Sequence, residues 1–367
     1  MKFFNRILAS LALIIPATLG MQSCHHVETW DNDLYGNFDA LWTIIDEHYC
    51  FFKYKDIDWN EVGKRYRDAI DPEWDEIQLY DHCADMLDEL RDGHTNLISW
   101  FNVSYYNKWW SDYPQNFNER LIEQYYFKFE NRSGGGFKYK ILEDRKVGYI
   151  RYSSFTTCAG HDFIDYMLYS MKDLDGIIID VRDNGGGDIT NVEKIVSHFI
   201  TEKTLAGYIQ HKTGPAHDAF SEPYPYYFEP VDRHVRWLKP VIVLANRSTF
   251  SAANNFVSVM KLLPQVAVVG DRTGGGCGMP FSSEVPCGWS VRFSASPVYD
   301  ANMNLTEAGV DPTEGGELDM DPEMEQKGID TIIEFAIEAL NRAADKDNPE
   351  DAEKKTIGRI RPGRSIL

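Results

Sequence analysis

The spacing of apolar residues predicts a helical region early in the chain. From Phe38 to Tyr49, apolar side chains recur three and four positions apart, which is the period of a helix with one buried face. Two further stretches, near 59–69 and 76–90, have the same spacing. An Asp-Gly-His-Thr turn at 92–95 follows them. We therefore expect a small helical domain over residues 37–100.

After the glycines at 134–136, the pattern changes to short apolar runs that alternate with helical spacing. Continuous apolar runs are typical of strands buried on both faces, and this alternation is typical of an α/β domain with a largely parallel sheet. We expect this domain over residues 137–344. Its predicted elements are a hairpin (Phe137–Leu142 and Val147–Tyr152), strands at 176–181, 240–245 and 265–269, a ribbon ending at 290–298, and helices near 190–201, at 252–263 and from Met324 to Ala343.

Three segments have no such regular pattern. Residues 101–136 form an aromatic-rich connecting segment, and 202–239 form a long insertion rich in aromatic residues and proline. A loop of this length inside a compact domain is uncommon and is often functional. The insertion is thus either part of a binding rim or an extra packing flap. Residues 345–367 are highly charged and predict a flexible tail.

Composition and charge narrow the function. The 367 residues are 43% hydrophobic, with 57 acidic side chains against 37 basic ones and a net charge of −20. This is a globular composition, which excludes a wholly disordered chain. A polyanion without a Lys/Arg-rich run repels nucleic-acid phosphate, so we expect no nucleic-acid partner.

The first residues resemble an export signal. Lys2 and Arg6 precede an apolar run that is too short for a comfortable membrane span, and Ser23 then precedes Cys24. This pattern resembles a bacterial lipoprotein signal. We expect a signal peptide over 1–23, lipidation at Cys24 and a tether over 24–36. The expected location is the cell envelope, on the periplasmic or outer-surface face of the outer membrane; the alternative is plain secretion.

The six cysteines give no metal-binding pattern, because none lies in a Cys-x-x-Cys pair. We expect no metal and no cofactor. Cys277 and Cys287 flank a predicted hairpin, and they either form a disulfide bridge or remain as buried thiols.

Candidate chemistry lies where two predicted strands end. Ser251 follows the strand at 240–245 and precedes a helix, where backbone N–H groups and the helix dipole favour an oxyanion. A serine at this position is also a common helix N-cap, so the segment alone leaves both interpretations open. Gly185–Gly187 follow the strand at 176–181 and allow close backbone approach, but they match neither a phosphate loop nor a dinucleotide fingerprint.

Six segments together resemble peptidase family S41, the tail-specific and C-terminal processing proteases, and most closely its tricorn-like branch. They occur in the family's order at 92–95, 146–155, 175–187, 243–253, 268–276 and 307–313. The resemblance implies a ClpP/crotonase-like spiral ββα catalytic domain preceded by a small helical domain. It also implies that Ser251 is the nucleophile and that the oxyanion hole consists of the Ala252 N–H and the N–H of one glycine in Gly185–Gly187, with Gly186 as the first choice.

The catalytic base is where this sequence departs from the commonest branch of the family. Gly274 stands where that branch has a catalytic lysine, and Lys261 fits no family motif. The tricorn-like pattern instead assigns His94 as general base, with Glu307 as its acidic partner. Asn254 is a second departure, since the family usually carries an acidic residue there.

The resemblance implies a serine endopeptidase that acts on peptides or unfolded proteins. Only 52 residues separate His94 from Val147, too few for a PDZ domain with linkers, so we expect no PDZ-mediated partner. Two alternatives stay open. One is a catalytically weak peptide- or glycan-binding lipoprotein on a peptidase fold, and the other is an acyl-transfer or hydratase enzyme of the crotonase-like superfold.

Overall fold

The computed structural model describes residues 30–344. The predicted signal peptide at 1–23, the lipidation site at Cys24, the tether as far as residue 29 and the tail at 345–367 lie outside the described residues. Within the described part of the chain, no helix combines the length and the apolar character needed to cross a bilayer.

The helical region predicted near the start of the chain is present. Its helices are α1 (Leu34–His48), α2 (Phe52–Lys55), α3 (Trp59–Asp68) and α4 (Glu76–Asp88). Aspartates cap three of them; Asp75, for example, accepts the Gln78 N–H in a capping box. Trp42 and Trp59 each donate an indole N–H to the other's carbonyl at 3.1 Å, which joins α1 to the start of α3.

A short connecting region follows. It contains β1 (Asn96–Ile98), the short helices α5 (Lys108–Ser111) and α6 (Glu119–Leu121), and a π-helix at Ile122–Phe127. The predicted aromatic segment is therefore largely ordered. Its π-helix packs beneath the central sheet, so part of its aromatic content belongs to the core.

The central sheet has six strands in the order β2-β3-β4-β5-β8-β9, and its last four strands are parallel. The predicted hairpin and buried strands are confirmed. The strands are β2 (Arg132–Gly134), β3 (Phe137–Leu142), β4 (Val147–Tyr152), β5 (Ile177–Asp180), β8 (Val241–Ala245) and β9 (Val266–Gly270).

Helices cover both faces of this sheet, which explains why β8 and β9 are apolar throughout and β5 is apolar up to its last residue. On β5, Ile177 and Ile179 pack against one layer, formed by α7 (His161–Ser170), α8 (Thr190–Val196) and α9 (Ala252–Met260). Ile178 faces the other layer, which contains the π-helix and α11 (Thr331–Ala344). The result is the three-layer α/β architecture that the sequence predicted.

A second sheet has the order β1-β11-β6-β7, with β10 also paired to β11. Its remaining strands are β6 (Thr204–Ile209), β7 (Tyr224–Phe228), β10 (Gly278–Glu284) and β11 (Ser290–Tyr299). The insertion at 202–239 thus supplies the β6–β7 hairpin. Val291 and Phe293 of β11 share one hydrophobic core with helices α1 and α4, so this sheet and the helical region are packed together.

The structure divides one predicted helix into two and shows the state of the two cysteines that could have formed a bridge. The helix predicted from Met324 to Ala343 is two helices, α10 (Pro322–Gln326) and α11. Gly328 separates them at φ +81°, where a Cβ would meet the Tyr125 ring at 2.5 Å. Cys277 and Cys287 are free thiols, as are the other three cysteines among residues 30–344.

Candidate active site

Ser251 occupies a strained turn between β8 and α9. Its backbone has φ +57° and ψ −121°, a combination that a residue with a Cβ rarely adopts. Backbone hydrogen bonds fix the turn: the Ser251 N–H donates to Gly275 O at 2.8 Å, and the preceding Phe250 N–H donates to Asn184 O at 3.0 Å. Such strain persists only where the surroundings over-determine it, and it clusters at functional sites.

His94 lies against this serine although 157 positions separate the two residues. Its Nε2 is 3.0 Å from Ser251 Oγ, and its side chain is buried between the turn and the Phe250 ring, 4.7 Å away between centroids. Trp109 stacks on the far side of Phe250 at 4.2 Å. Burial lowers the pKa of His94 to about 4, against a smaller opposing effect of Asp92. The imidazole is thus neutral at neutral pH and can accept a proton.

Glu307 reaches the same buried cluster through Lys55, a residue that sequence reasoning missed. Lys55 Nζ lies 3.0 Å from Glu307 Oε1 and 3.8 Å from Asp92 Oδ2. The other Glu307 oxygen accepts the Cys277 N–H at 3.1 Å. Asp92 in turn accepts the His94 backbone N–H at 2.8 Å. A chain of contacts therefore runs from Glu307 through Lys55 and Asp92 to His94.

The structure does not place Glu307 in hydrogen-bond contact with the imidazole. Within residues 30–344, His94 Nδ1 and Asp92 Oδ2 are both buried and without a hydrogen-bond partner. Asp92 is the carboxylate with the strongest electrostatic effect on His94. Any effect of Glu307 on His94 is thus exerted across Lys55 and Asp92. No hydrophobic period or motif marked Lys55, because its role depends on this tertiary arrangement.

The Lys55 ammonium lies between the buried carboxylates of Glu307 and Asp92, whose pKa values shift in opposite directions. Burial and the neighbouring Asp92 charge raise the pKa of Glu307 to about 7. Burial opposes ionisation of Asp92 as well, but Lys55 and His94 hold its pKa below the usual value. Burial lowers the pKa of Lys55, but the two carboxylates outweigh this effect and hold it above the usual value. Asp92 and Lys55 are consequently the charged pair at neutral pH, and Glu307 titrates near neutrality.

The two predicted oxyanion-hole donors, Ala252 and Gly186, differ in their hydrogen bonding. Ala252 is the first residue of α9, where helix N–H groups lack intrahelical acceptors. The Gly186 N–H, in contrast, donates to Asn184 Oδ1 at 3.0 Å, so it is already occupied. Gly187 lines the cleft beside Ser251 instead. Gly186 is still constrained: at φ +94°, a Cβ there would meet Phe250 O at 2.7 Å and Ser251 Cβ at 2.8 Å.

Asn254, where the family usually has an acidic residue, is buried and fully hydrogen-bonded. Its Oδ1 accepts the Thr273 hydroxyl at 2.6 Å, and its Nδ2 donates to Thr306 Oγ1 at 3.2 Å. The amide thereby ties the end of β9 to the loop that carries Glu307. Lys261 lies elsewhere and donates to the carbonyls of Asp311 and Pro312.

A cleft of about 280 Å³ opens beside Ser251. Its walls come from the start of α9, the glycine loop after β5 and the second sheet. The lining residues include Gly187, Ala252, Asn255, Met279, Pro280, Arg292, Val298 and Thr306. The insertion at 202–239 does not line this cleft, but its Tyr226 hydroxyl accepts the Asn255 side-chain N–H at 2.8 Å.

Acidic residues of the glycine loop have structural partners. Arg182 lies fully buried between Asp180 and Asp330, at 2.6 and 2.9 Å, and Asp183 accepts from Asn246. Outside the cleft, Asp162, Asp165 and His234 place possible ligand atoms within 4.8 Å of one another, on partly exposed side chains. None of these groups touches Ser251 or His94.

Comparison with known proteins identifies the architecture. Residues 146–315 match the model of Peptidase family S41, and residues 31–90 match the Tricorn protease C1 domain. A solved structure from Parabacteroides merdae, described as a candidate peptidase, is 49% identical, with a TM-score of 0.80 over 84% of this chain and 97% of that chain.

More distant proteins share parts of the sequence or the fold. The carboxy-terminal processing protease CtpB of Bacillus subtilis is 26% identical over 47% of this chain. The match spans only 35% of that curated relative's length. Mature CPAF is 12% identical with a TM-score of 0.65, over 86% of this chain and 98% of that chain, so it shares the fold.

Proposed function

Because the chain belongs to peptidase family S41, we propose that it is a serine endopeptidase that forms an acyl-enzyme at Ser251. The observation that carries the proposal is the 3.0 Å contact between His94 Nε2 and Ser251 Oγ at a strained strand-to-helix turn. A nucleophile within hydrogen-bond reach of a neutral imidazole is the arrangement required for activated-serine chemistry.

The proposed reaction proceeds in two halves. His94 accepts the Ser251 proton as Oγ attacks the peptide carbonyl, and the resulting imidazolium donates that proton to the leaving amine. The Ala252 N–H, together with the Gly187 N–H, stabilises the oxyanion of each tetrahedral intermediate. A water molecule then attacks the acyl-enzyme with His94 again as base, which releases the second product and restores the serine.

The buried carboxylates support the charge that forms on His94. An imidazolium in a desolvated site needs negative charge nearby, and Asp92 supplies it most directly. Ionised Glu307 adds to this effect because it offsets the Lys55 charge, from which it lies 3.0 Å away. Glu307 therefore acts through the Asp92–Lys55 pair rather than by contact with the imidazole.

A lysine base is not part of the proposal. Lys261 is engaged with backbone carbonyls, and Lys55 is held by two carboxylates. We propose that substrates are peptides or unfolded proteins, that the cleft rather than a PDZ domain selects them, and that no metal or cofactor takes part. We also propose, on the sequence alone, that Cys24 is lipidated and anchors the protein in the cell envelope.

Hydrolysis of a reduced and carboxymethylated protein, followed by mass spectrometry of the products, tests this function. We expect the wild type and Ser248→Ala to cleave it, since Ser248 lies in the same turn segment but does not contact His94. Ser251→Ala should not cleave it. Cleavage by Ser251→Ala would contradict the proposal. Saturable binding without cleavage by the wild type would favour the peptide- or glycan-binding alternative.

A further inference from the structure

Arg292 is a cation without a carboxylate partner in the wall of the cleft that contains Ser251. Among the described residues its guanidinium makes one hydrogen bond, which is long: Nη1 donates to the neutral Asn96 amide oxygen at 3.4 Å. Within residues 30–344, no carboxylate oxygen lies within 4.0 Å of its guanidinium. The side chain is only partly exposed, and burial lowers its pKa, with a smaller opposing effect of Asp92.

Other enclosed arginines of this protein are paired. Arg182 is held by Asp180 and Asp330, and Arg247 lies 3.0 Å from Asp271. Acidic side chains are plentiful, since the chain carries 57 of them and a net charge of −20. A partly desolvated guanidinium that no carboxylate contacts is costly. The departure at Arg292 therefore points to an anion that comes from outside the chain.

The alternation of β11 directs Arg292 towards the cleft. Val291 and Phe293 are fully buried in the core shared with helices α1 and α4, so the residue between them projects from the opposite face of the strand. Met279 and Pro280 of β10 contribute apolar surface to the same cleft. Such a wall can pack against the stem of a substrate side chain while the guanidinium binds its charged end.

We propose that Arg292 forms a carboxylate-binding subsite of the catalytic cleft, so that preferred substrates carry a carboxylate close to the scissile bond. The carboxylate belongs either to an acidic side chain or to a free peptide C-terminus. The planar guanidinium suits it because the two groups can form parallel charge-assisted hydrogen bonds. This inference rests on the proposed function, since it requires a peptide held beside Ser251.

The subsite also couples recognition to the base. Arg292 is one of the charges that lower the pKa of His94. A substrate carboxylate that neutralises the guanidinium removes this effect, and the imidazole then becomes a stronger base. The correct substrate should consequently raise kcat as well as lower KM.

The test is peptide binding to the Ser251→Ala protein, which needs no turnover. The probes are N-acetylated alanine-based hexapeptides that contain one Phe. A single Glu or Gln is placed at each of the other positions in turn, and every peptide is made both as the free acid and as the C-terminal amide. We expect one Glu/Gln pair, or the acid/amide pair, to differ in Kd by about 10- to 100-fold, the usual range for a charge-assisted hydrogen bond. The pair that responds identifies the source of the carboxylate.

Arg292→Gln in the Ser251→Ala background should abolish that difference, and Arg292→Glu should favour Lys-containing peptides. The matched control is Arg65→Gln, on exposed helix α3, which should keep the preference. Equal binding of both members of every pair, no peptide binding at all, or a preference that survives Arg292→Gln would overturn the inference. Failure of the proposed function is a separate result, because it would appear as absent turnover by the wild type.

Discussion

Replacing Lys55 with methionine should destabilise the protein in a pH-dependent way. The substitution replaces the aliphatic stem with one of similar length but removes the cation that lies 3.0 Å from Glu307 and 3.8 Å from Asp92. Both carboxylates are almost fully buried, so no solvent replaces the lost charge. Breaking a buried ion pair by removing one partner costs about 3–5 kcal/mol.

The pH dependence follows from Glu307. Its pKa is about 7 in the folded wild type and must rise further without Lys55, whereas a glutamate in the unfolded chain has its ordinary pKa of 4.5. Above pH 7 the native wild type has released this proton and the native variant retains it. One bound proton corresponds to about 1.4 kcal/mol per pH unit. We therefore expect a loss of about 3 kcal/mol at pH 6 that grows to about 5 kcal/mol at pH 8.5.

Urea unfolding at the two pH values, followed by tryptophan fluorescence, measures this loss. Adding Glu307→Gln to both the wild type and the variant should remove the growth of the loss with pH. The matched control is Lys203→Met, because Lys203 also lies 3.0 Å from a glutamate, Glu229, but on an exposed surface. That variant should change the free energy of unfolding by less than about 1 kcal/mol. A Lys55→Met loss under 1 kcal/mol at both pH values would refute the reasoning.

Three further predictions concern catalysis. His94→Ala should lower kcat/KM on a cleaved peptide by about 10²–10⁴-fold, the usual contribution of a general base. Lys261→Ala should change kcat/KM less than about threefold. A large loss in Lys261→Ala and a small one in His94→Ala would favour a lysine mechanism instead. The logarithm of kcat/KM should rise with pH through about 7 as Glu307 ionises, and Glu307→Gln should remove that inflection but keep the acid limb near pH 4 set by His94. An inflection that persists in Glu307→Gln would assign it to another group. Gly186→Ala should abolish peptide cleavage without unfolding the chain, because the added Cβ would enter the turn that carries Ser251. Gly185→Ala should stay active, because no atom lies within 4 Å of the position of its new methyl group.

The elements of the central sheet could be predicted because each is governed by a local pattern. The isoleucines at 177–179 are apolar on both faces of β5, as are the strands Val241–Ala245 and Val266–Gly270, and such runs have few alternatives to a strand buried between two layers. The continuous helix predicted from Met324 was wrong for a reason that is not local. Its apolar period continues across Gly328, but that glycine adopts a positive φ against Tyr125, and only the tertiary structure shows this contact.

The site could be predicted only where a motif marks it. The resemblance indicated Ser251 and His94, and the structure brings their side chains to 3.0 Å. The ion pair between Glu307 and Lys55 could not be predicted from the sequence, because no motif or spacing around Lys55 indicates that it has a buried partner. Nothing in the sequence indicated that the Gly186 N–H donates to the Asn184 side chain, a contact between neighbours that no spacing rule predicts.

The activation of Ser251 by His94 is tested most directly by intact-mass spectrometry after treatment with a fluorophosphonate, a reagent that reacts with activated serines. We expect a single adduct on the wild type, no adduct on Ser251→Ala and a strongly slowed reaction on His94→Ala, with all three proteins folded by circular dichroism. An adduct that persists on Ser251→Ala, or a folded wild type that forms none, would contradict the assignment of Ser251 as a nucleophile activated by His94.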